Sequence, residues 1–237
     1  MPRATRARRW ISLLCALTIP ALAPIAAAAE LRNGDVIVAG GDSGLILQID
    51  PRTGGQLIIA SGGLLARPRA VVVEASGSIL VVDQSYSSSS FPRIVRIDPV
   101  TGAQALVTSE GLMLTPKDIA IDGSGNLLVT DFSAPHGYGS ILKVTLPNAD
   151  QSVFWEATGP LYTPFDLAIE SSGDVLFKGF GGPLFRLDLA TGQPSQLAPE
   201  SGIKTGIAIE AGGGILMLDQ LTFAGVSVTR VDPVTGA

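Results

Sequence analysis

The side chains able to do chemistry gather in two kinds of segment. Arg67, Arg69, Lys117, Asp118, Tyr162, Phe165, Asp166 and Lys204 lie in stretches that lead into one recurring apolar run. Phe132, His136, Tyr138, Phe180 and Phe223 lie in stretches that leave another. Charged and aromatic groups converging on a concave mouth can hold a small molecule. The candidate binding set is Arg69, Lys117, Asp118, His136, Tyr138, Phe165 and Asp166. In the plainer alternative Asp118 and Asp166 cap turns and the aromatics cover apolar ends. His136, the one histidine of the chain, has the intrinsic pKa of a general base. Its neighbours from Ala134 to Gly139 include no group to orient it, so a solvated loop histidine is the ordinary reading. No serine nucleophile elbow precedes a helix, and no catalytic residue is assigned. Asp122-Gly123-Ser124-Gly125-Asn126 resembles part of a calcium loop but lacks the remaining ligands and the distal glutamate; it reads as a hairpin turn. Glu74, Asp122, Glu170 and Glu210 recur at one position, at the ends of apolar runs, where solvated carboxylates are expected.

Repetition must position these groups. Four segments align: RPRAVVVEASGSILVVD (67–83), TPKDIAIDGSGNLLVTD (115–131), TPFDLAIESSGDVLFKG (163–179) and IKTGIAIEAGGGILMLD (203–219). A second motif alternates with them: IDPRTGG (49–55), IDPVTGA (97–103), LDLATGQ (187–193) and VDPVTGA (231–237), with a degenerate copy at 144–150. Asp50, Asp98, Thr145, Asp188 and Asp232 therefore recur every 43–48 residues. A period in the forties built from short Val-, Ile- and Leu-rich strands marks propeller blades.

Each period divides into four strands, which for the third blade are 118–122, 126–131, 140–145 and 151–156. The runs ILVVD (79–83) and ILMLD (215–219) are continuously apolar, as expected where both faces of a sheet are covered. Ala120, Ala168 and Ala208 put small side chains where blades converge on the axis. In Asp98-Pro99-Val100-Thr101-Gly102 the aspartate can accept a backbone N–H, proline presets φ and glycine takes the left-handed position. The predicted fold is an all-β propeller of four-stranded blades with about five blades represented. A partial blade at 34–62 precedes blades at 67–109, 115–157 and 163–198, and a partial blade follows at 203–237. The C-terminal end lacks an outermost strand and a closing inner strand, so an incomplete, unclosed arc is expected.

Composition narrows the rest. The chain of 237 residues is 46% hydrophobic, with 16 basic and 21 acidic side chains. A nucleic-acid-binding surface is not expected at this acidic balance. One cysteine excludes a disulfide framework or a cysteine zinc cluster. Residues 1–29 carry Arg3, Arg6, Arg8 and Arg9, then an apolar run and Ala26 to Ala29, the pattern of a secretory signal peptide. Pro20 and Pro24 interrupt that run, so no stable membrane insertion is expected after cleavage. The mature product, residues 30–237, is expected to be secreted or periplasmic. The serines from Ser85 to Ser90 read as a surface insertion.

The stretch from Pro116 to Asp131, PKDIAIDGSGNLLVTD, resembles the NHL repeat and the related six-bladed senescence-marker/gluconolactonase-type propellers. That resemblance covers residues 34–237 and implies the propeller fold, which serves enzymes, binding modules and scaffolds alike. Gluconolactonase-type enzymes hold a divalent cation partly through Asn or Asp just after the proline entering an inner strand. The matching positions here are Arg69, Lys117, Phe165 and Thr205, and two cations and a phenyl ring do not replace oxygen ligands. Asp118 and Asp166 come one residue later, where strand alternation turns them the other way. Streptogramin-lyase-like propellers pair histidine bases with a metal, and His136 stands alone. Neither a metal nor another cofactor is expected. The function expected is a non-catalytic binding module for an unidentified protein or small molecule. The enzymatic alternative is a metal-dependent lactonase-type hydrolase or a streptogramin-lyase-like enzyme.

Overall fold

The structure, a computed structural model, describes residues 31–85, 91–133, 137–159, 163–179, 183–188, 191–198, 203–221 and 225–236. These form five antiparallel sheets in chain order. The first contains β1 (Val36–Ala39), β2 (Leu45–Ile49) and β3 (Gln56–Ser61), with a 3-10 turn at Gly41–Ser43. The second contains β4 (Pro68–Val73), β5 (Ile79–Asp83), β6 (Arg93–Ile97) and β7 (Gln104–Ser109). The third contains β8 (Pro116–Ile121), β9 (Leu127–Asp131), β10 (Ser140–Thr145) and β11 (Asp150–Glu156). The fourth contains β12 (Pro164–Ile169), β13 (Val175–Gly179), β14 (Leu184–Leu187) and β15 (Pro194–Ala198). The fifth contains β16 (Ile203–Ile209), β17 (Ile215–Leu221) and β18 (Gly225–Val231). Strands β4, β8, β12 and β16 touch in succession, and β1 touches β4, so the sheets fan about one axis as propeller blades.

Each gap between blades encloses one apolar cluster. Between the second and third blades lie Leu80, Val82, Met113, Ile119, Val129 and Leu142. Leu128, Ile141, Leu167, Phe177 and Phe185 fill the next gap. The second strands β5, β9 and β13 are buried at every position, because each is covered by a neighbouring blade on both faces. This accounts for runs such as Ile79-Leu80-Val81-Val82 without polar alternation.

Polar stitches join the blades outside these clusters. At the start of β7, Gln104 accepts the N–H of Leu64 at 2.7 Å and donates to the carbonyl of Gly62 at 3.1 Å. Gln151 repeats this one blade on, accepting from Leu112 at 2.8 Å and donating to Glu110 at 3.0 Å. The turn after β6 has the predicted chemistry: Asp98 Oδ1 accepts from Val100 and Thr101, and Gly102 stands at φ 69°. A Cβ at Gly102 would lie 2.6 Å from the carbonyl oxygen of Ile59, so glycine also permits the close approach of two blades.

The repeated carboxylates are half-buried and ion-paired rather than simply solvated, which corrects the expectation for Glu74, Asp122, Glu170 and Glu210. Arg96 grips Glu74 with two bonds of 2.7 and 2.8 Å, and Arg186 grips Glu170 at 2.6 and 2.8 Å. Lys143 meets Asp122 at 3.0 Å, and Arg230 meets Glu210 at 2.6 Å. In the second to fifth blades the first hairpin folds its acid over the second strand onto a cation of the third. Arg186 also donates to the carbonyl of Pro233 at 2.8 Å, tying the fourth blade to the fifth.

Candidate functional site at the channel mouth

Two loops must come together on one face for the predicted residues to meet, and buried aspartates bring them together. Asp83, at the end of β5, accepts the N–H groups of Ala66 at 2.8 Å and Arg67 at 2.7 Å. Asp131, at the end of β9, accepts from Leu114 at 2.7 Å and from Thr115 and Ser133 at about 3.0 Å. Both carboxylates are fully buried. Each locks the loop entering an inner strand against the end of the second strand.

The inner strands then begin with a bulge. Pro116 pairs with Asp131 and Asp118 with the adjacent Thr130, which leaves Lys117 as the extra residue. Arg69 and Phe165 are extra in the same way in β4 and β12. A bulge interrupts strict alternation locally, and Asp118 and Asp166 turn to the backbone N–H groups of Leu167 and Gly206 on the following blades. Pro68, Pro116 and Pro164 start these strands where no ladder N–H is required.

Around the bulges the third and fourth blades carry a polar set that the second blade lacks. Opposite Asp118 stands Thr130, opposite Asp166 stands Lys178, and opposite Ala70 stands Val82. Thr130 Oγ1 accepts the N–H of Asp118 and donates to the carbonyl of Phe165, both at 2.9 Å. Asp118 accepts from Ile119 at 2.8 Å through Oδ1 and from Leu167, on the next blade, at 2.9 Å through Oδ2. Asp166 accepts the N–H of Gly206 at 2.7 Å, again one blade on. Burial pushes the Asp118 carboxyl up to about 7; the charge of Asp166 adds to this, while the N–H groups of Leu167 and Ile119 oppose it. Burial also raises Asp166, against the Gly206 N–H and the positive charge of Lys178. Lys178 is fully buried.

Above this set Lys117 Nζ lies 5.7 Å from the ring centroids of both Phe132 and Phe165, within cation–π range. Arg69 donates from Nε to the side-chain oxygen of buried Gln84 at 2.8 Å. Tyr138, in the loop from β9 to β10, is 47% exposed. Arg67 is drawn outward, paired with Asp42 of the first blade. His136, Tyr162, Phe180, Phe223 and the side chains of Lys204 and Thr205 lie outside the described residues, as do Ser87 to Ser90 and residues 1–30. Of the predicted set, Lys117, Asp118, Phe165 and Asp166 gather at the junction of the third and fourth blades. Thr130, Lys178 and Phe132 belong with them, while Gln84 stays with Arg69 on the second blade. Thr130 and Lys178 were signalled in the sequence as polar residues at repeat positions held elsewhere by Val82 and Leu218.

The fan of five sheets is a β-propeller, and solved structures with a similar fold are six-bladed β-propellers. A chain of the nidogen–laminin complex superposes with a TM-score of 0.69 at 14% identity, covering 86% of this chain and 75% of that one. A gluconolactonase from Xanthomonas campestris gives 0.62 at 14% identity, covering 77% and 64%. Virginiamycin B lyase from Staphylococcus aureus gives 0.59 at 12% identity, covering 87% and 70%. The chain thus spans about two thirds to three quarters of each. No family model and no curated protein matches the sequence. The fold is shared by binding modules and enzymes, and at these identities the likeness extends to the fold alone.

Proposed function

We propose that this protein is an exported, non-catalytic NHL-like binding module whose ligand sits at the channel mouth. The observation that carries this reading is Lys117 poised over Phe132 and Phe165, with Arg69 at the equivalent bulge one blade away. Two cations and an aromatic ring, Arg69, Lys117 and Phe165, occupy the bulge in three consecutive blades. One oxygen of Asp118 and one of Asp166 each accept a backbone N–H of the following blade, which suits a scaffold role beneath the ligand. Export, to the cell exterior or the periplasm, is supported by the basic and apolar N-terminal pattern. A fragment screen by NMR tests the site: compounds that bind should shift Phe132, Tyr138 and Phe165, and Phe165→Ala should weaken them about tenfold. Binding that leaves all three unmoved would remove the mouth from consideration.

A lactonase-type hydrolase is the second reading, and the Asp118 carboxyl favours it, since a group titrating near 7 can exchange protons at neutral pH. The bulge residues Arg69, Lys117 and Phe165 give that reading no oxygen ligands for a divalent cation. Lactone hydrolysis lost on chelation and on Asp118→Asn would establish it over the binding module.

A further inference from the structure

The first blade departs from a rule that its successors keep. In the second to fifth blades a cation stands two residues before Asp98 or its counterpart, as Arg96, Lys143, Arg186 and Arg230, and meets an acid of the first hairpin. The first blade has Gln48 at that place, and no strand precedes β1 in its sheet. Gln48 is 7% exposed and donates from Nε2 to Asp35 Oδ2 at 2.5 Å. The same oxygen accepts the backbone N–H of Arg32 at 2.7 Å. Beside them lies a cavity of about 210 Å3, lined by Arg32, Asp35, Gln48, Asp50, Gln56 and Leu57.

The polar groups of this cavity have bonding capacity left over. Both bonds to Asp35 fall on Oδ2, and Oδ1 accepts none. Gln48 Oε1 is buried without a partner. Turning the amide would not relieve it, because Oε1 would then face the Asp35 carboxylate. The guanidinium of Arg32 forms no ion pair, although Asp35 lines the same cavity. Asp50 is engaged by Arg52 through Oδ1. Gln56 stands where Gln104 and Gln151 stand in the next two blades. Those two each accept one N–H and donate to one carbonyl, and the side chain of Gln56 makes neither bond.

The charges balance, Arg32 and Arg52 against Asp35 and Asp50, so a bare anion would meet two carboxylates and a bare cation two guanidinium groups. Opposite charges that line one cavity without pairing match a molecule that carries both. We propose that this cavity binds a free α-amino acid, its carboxylate on the fork of Arg32 and its ammonium on Asp35. The three donors of an ammonium suit Asp35 Oδ1 and the buried oxygen of Gln48. Gln56 offers a further donor and acceptor, and Leu57 an apolar contact. The site is built at the start of β1, the end of β2 and the start of β3. It is therefore separate from the loops that form the channel mouth, and it stands or falls apart from the reading of the mouth.

Titration calorimetry on the full chain tests the proposal, with L-leucine carrying both charges and acetate and methylammonium carrying one each. Saturable binding of L-leucine is expected, with each single-charge compound weaker by about tenfold or more. Arg32→Gln should lower the affinity for L-leucine about tenfold, as loss of a charge-assisted contact does, and Arg32→Lys should restore part of it. Asp35→Asn should cause a similar loss; if that variant fails to fold, the two variants of exposed Arg32 decide the matter. Absence of saturable L-leucine binding overturns the proposal, as does acetate or methylammonium binding as tightly as L-leucine. Affinity lowered by Phe165→Ala and untouched by Arg32→Gln would place the amino acid at the channel mouth, and that too overturns it.

Discussion

The junction between the second and third blades and the junction between the third and fourth are built on the same backbone plan with different chemistry. At the first, Ala70 and Val82 face each other at the rung below the bulge, and the gap is filled by Leu80, Met113, Ile119 and Val129. At the second, the same rung holds Asp118 and Thr130, followed one blade on by Asp166 and Lys178. Both junctions keep an apolar cluster deeper in, so the propeller does not depend on the polar rung for its shape. The polar rung instead couples one stretch of the channel wall to pH and leaves cations and rings at its rim. Within a repeat, the place where the repeat is broken is where a function can be housed.

The largest expected effect belongs to the apolar junction. Leu80 is fully buried at its centre, so Leu80→Ala should lower stability by about 2–5 kcal/mol through lost burial and a residual cavity. Denaturant unfolding should show this loss equally at pH 4 and pH 8. A loss that varied with pH would mean the two junctions are not energetically separate.

The polar junction should answer to pH instead. The folded-state pKa of Asp118 is raised from 3.8 to about 7, so the folded chain holds a proton there that the unfolded chain releases. Its contribution is favourable below pH 4 and is lost as pH climbs through 7, a swing of up to about 4 kcal/mol. Asp166 is shifted the same way and adds to it. Asp118→Asn should flatten the stability profile between pH 4 and pH 7, measured by urea midpoints. A wild-type profile that rises over that range would show that Asp118 is not the burdened group.

The strands were legible because a propeller writes its period into the chain. The second strand predicted at 126–131 is observed at Leu127–Asp131, and the third, at 140–145, is observed at Ser140–Thr145. The bulges were not legible. An extra residue after Pro116 or Pro164 changes register without changing composition, so alternation alone could not place Lys117 and Phe165 at the bulges. The ion pairs were half legible. A base stands two residues before four of the five motif positions, as Arg96, Lys143, Arg186 and Arg230, but its acid lies two strands away and only the folded hairpin joins them. Lys117 and Phe165 could be named from the sequence as candidates. Their meeting through Phe132 could not, because it depends on two adjacent blades being locked at one height by Asp131 and Thr130.

Exchanging the rung residues separates the backbone plan from its chemistry. Thr130 supplies an acceptor to the N–H of Asp118 and a donor to the carbonyl of Phe165. Thr130→Val keeps the shape and leaves both backbone groups to find other partners, which should cost about 2 kcal/mol. Val82→Thr places the same hydroxyl one blade earlier, where the bulge offers the N–H of Ala70 and the carbonyl of Lys117 in the equivalent positions. If the plan is truly common to both junctions, that hydroxyl finds both partners and the cost stays below about 1 kcal/mol, against the larger penalty of a buried hydroxyl left unpaired. Chemical denaturation of the two variants should therefore be unequal, with Thr130→Val the weaker protein. Equal losses would show that the third and fourth blades meet at a spacing or angle the second and third do not share, and the polar rung would then be a property of that local geometry.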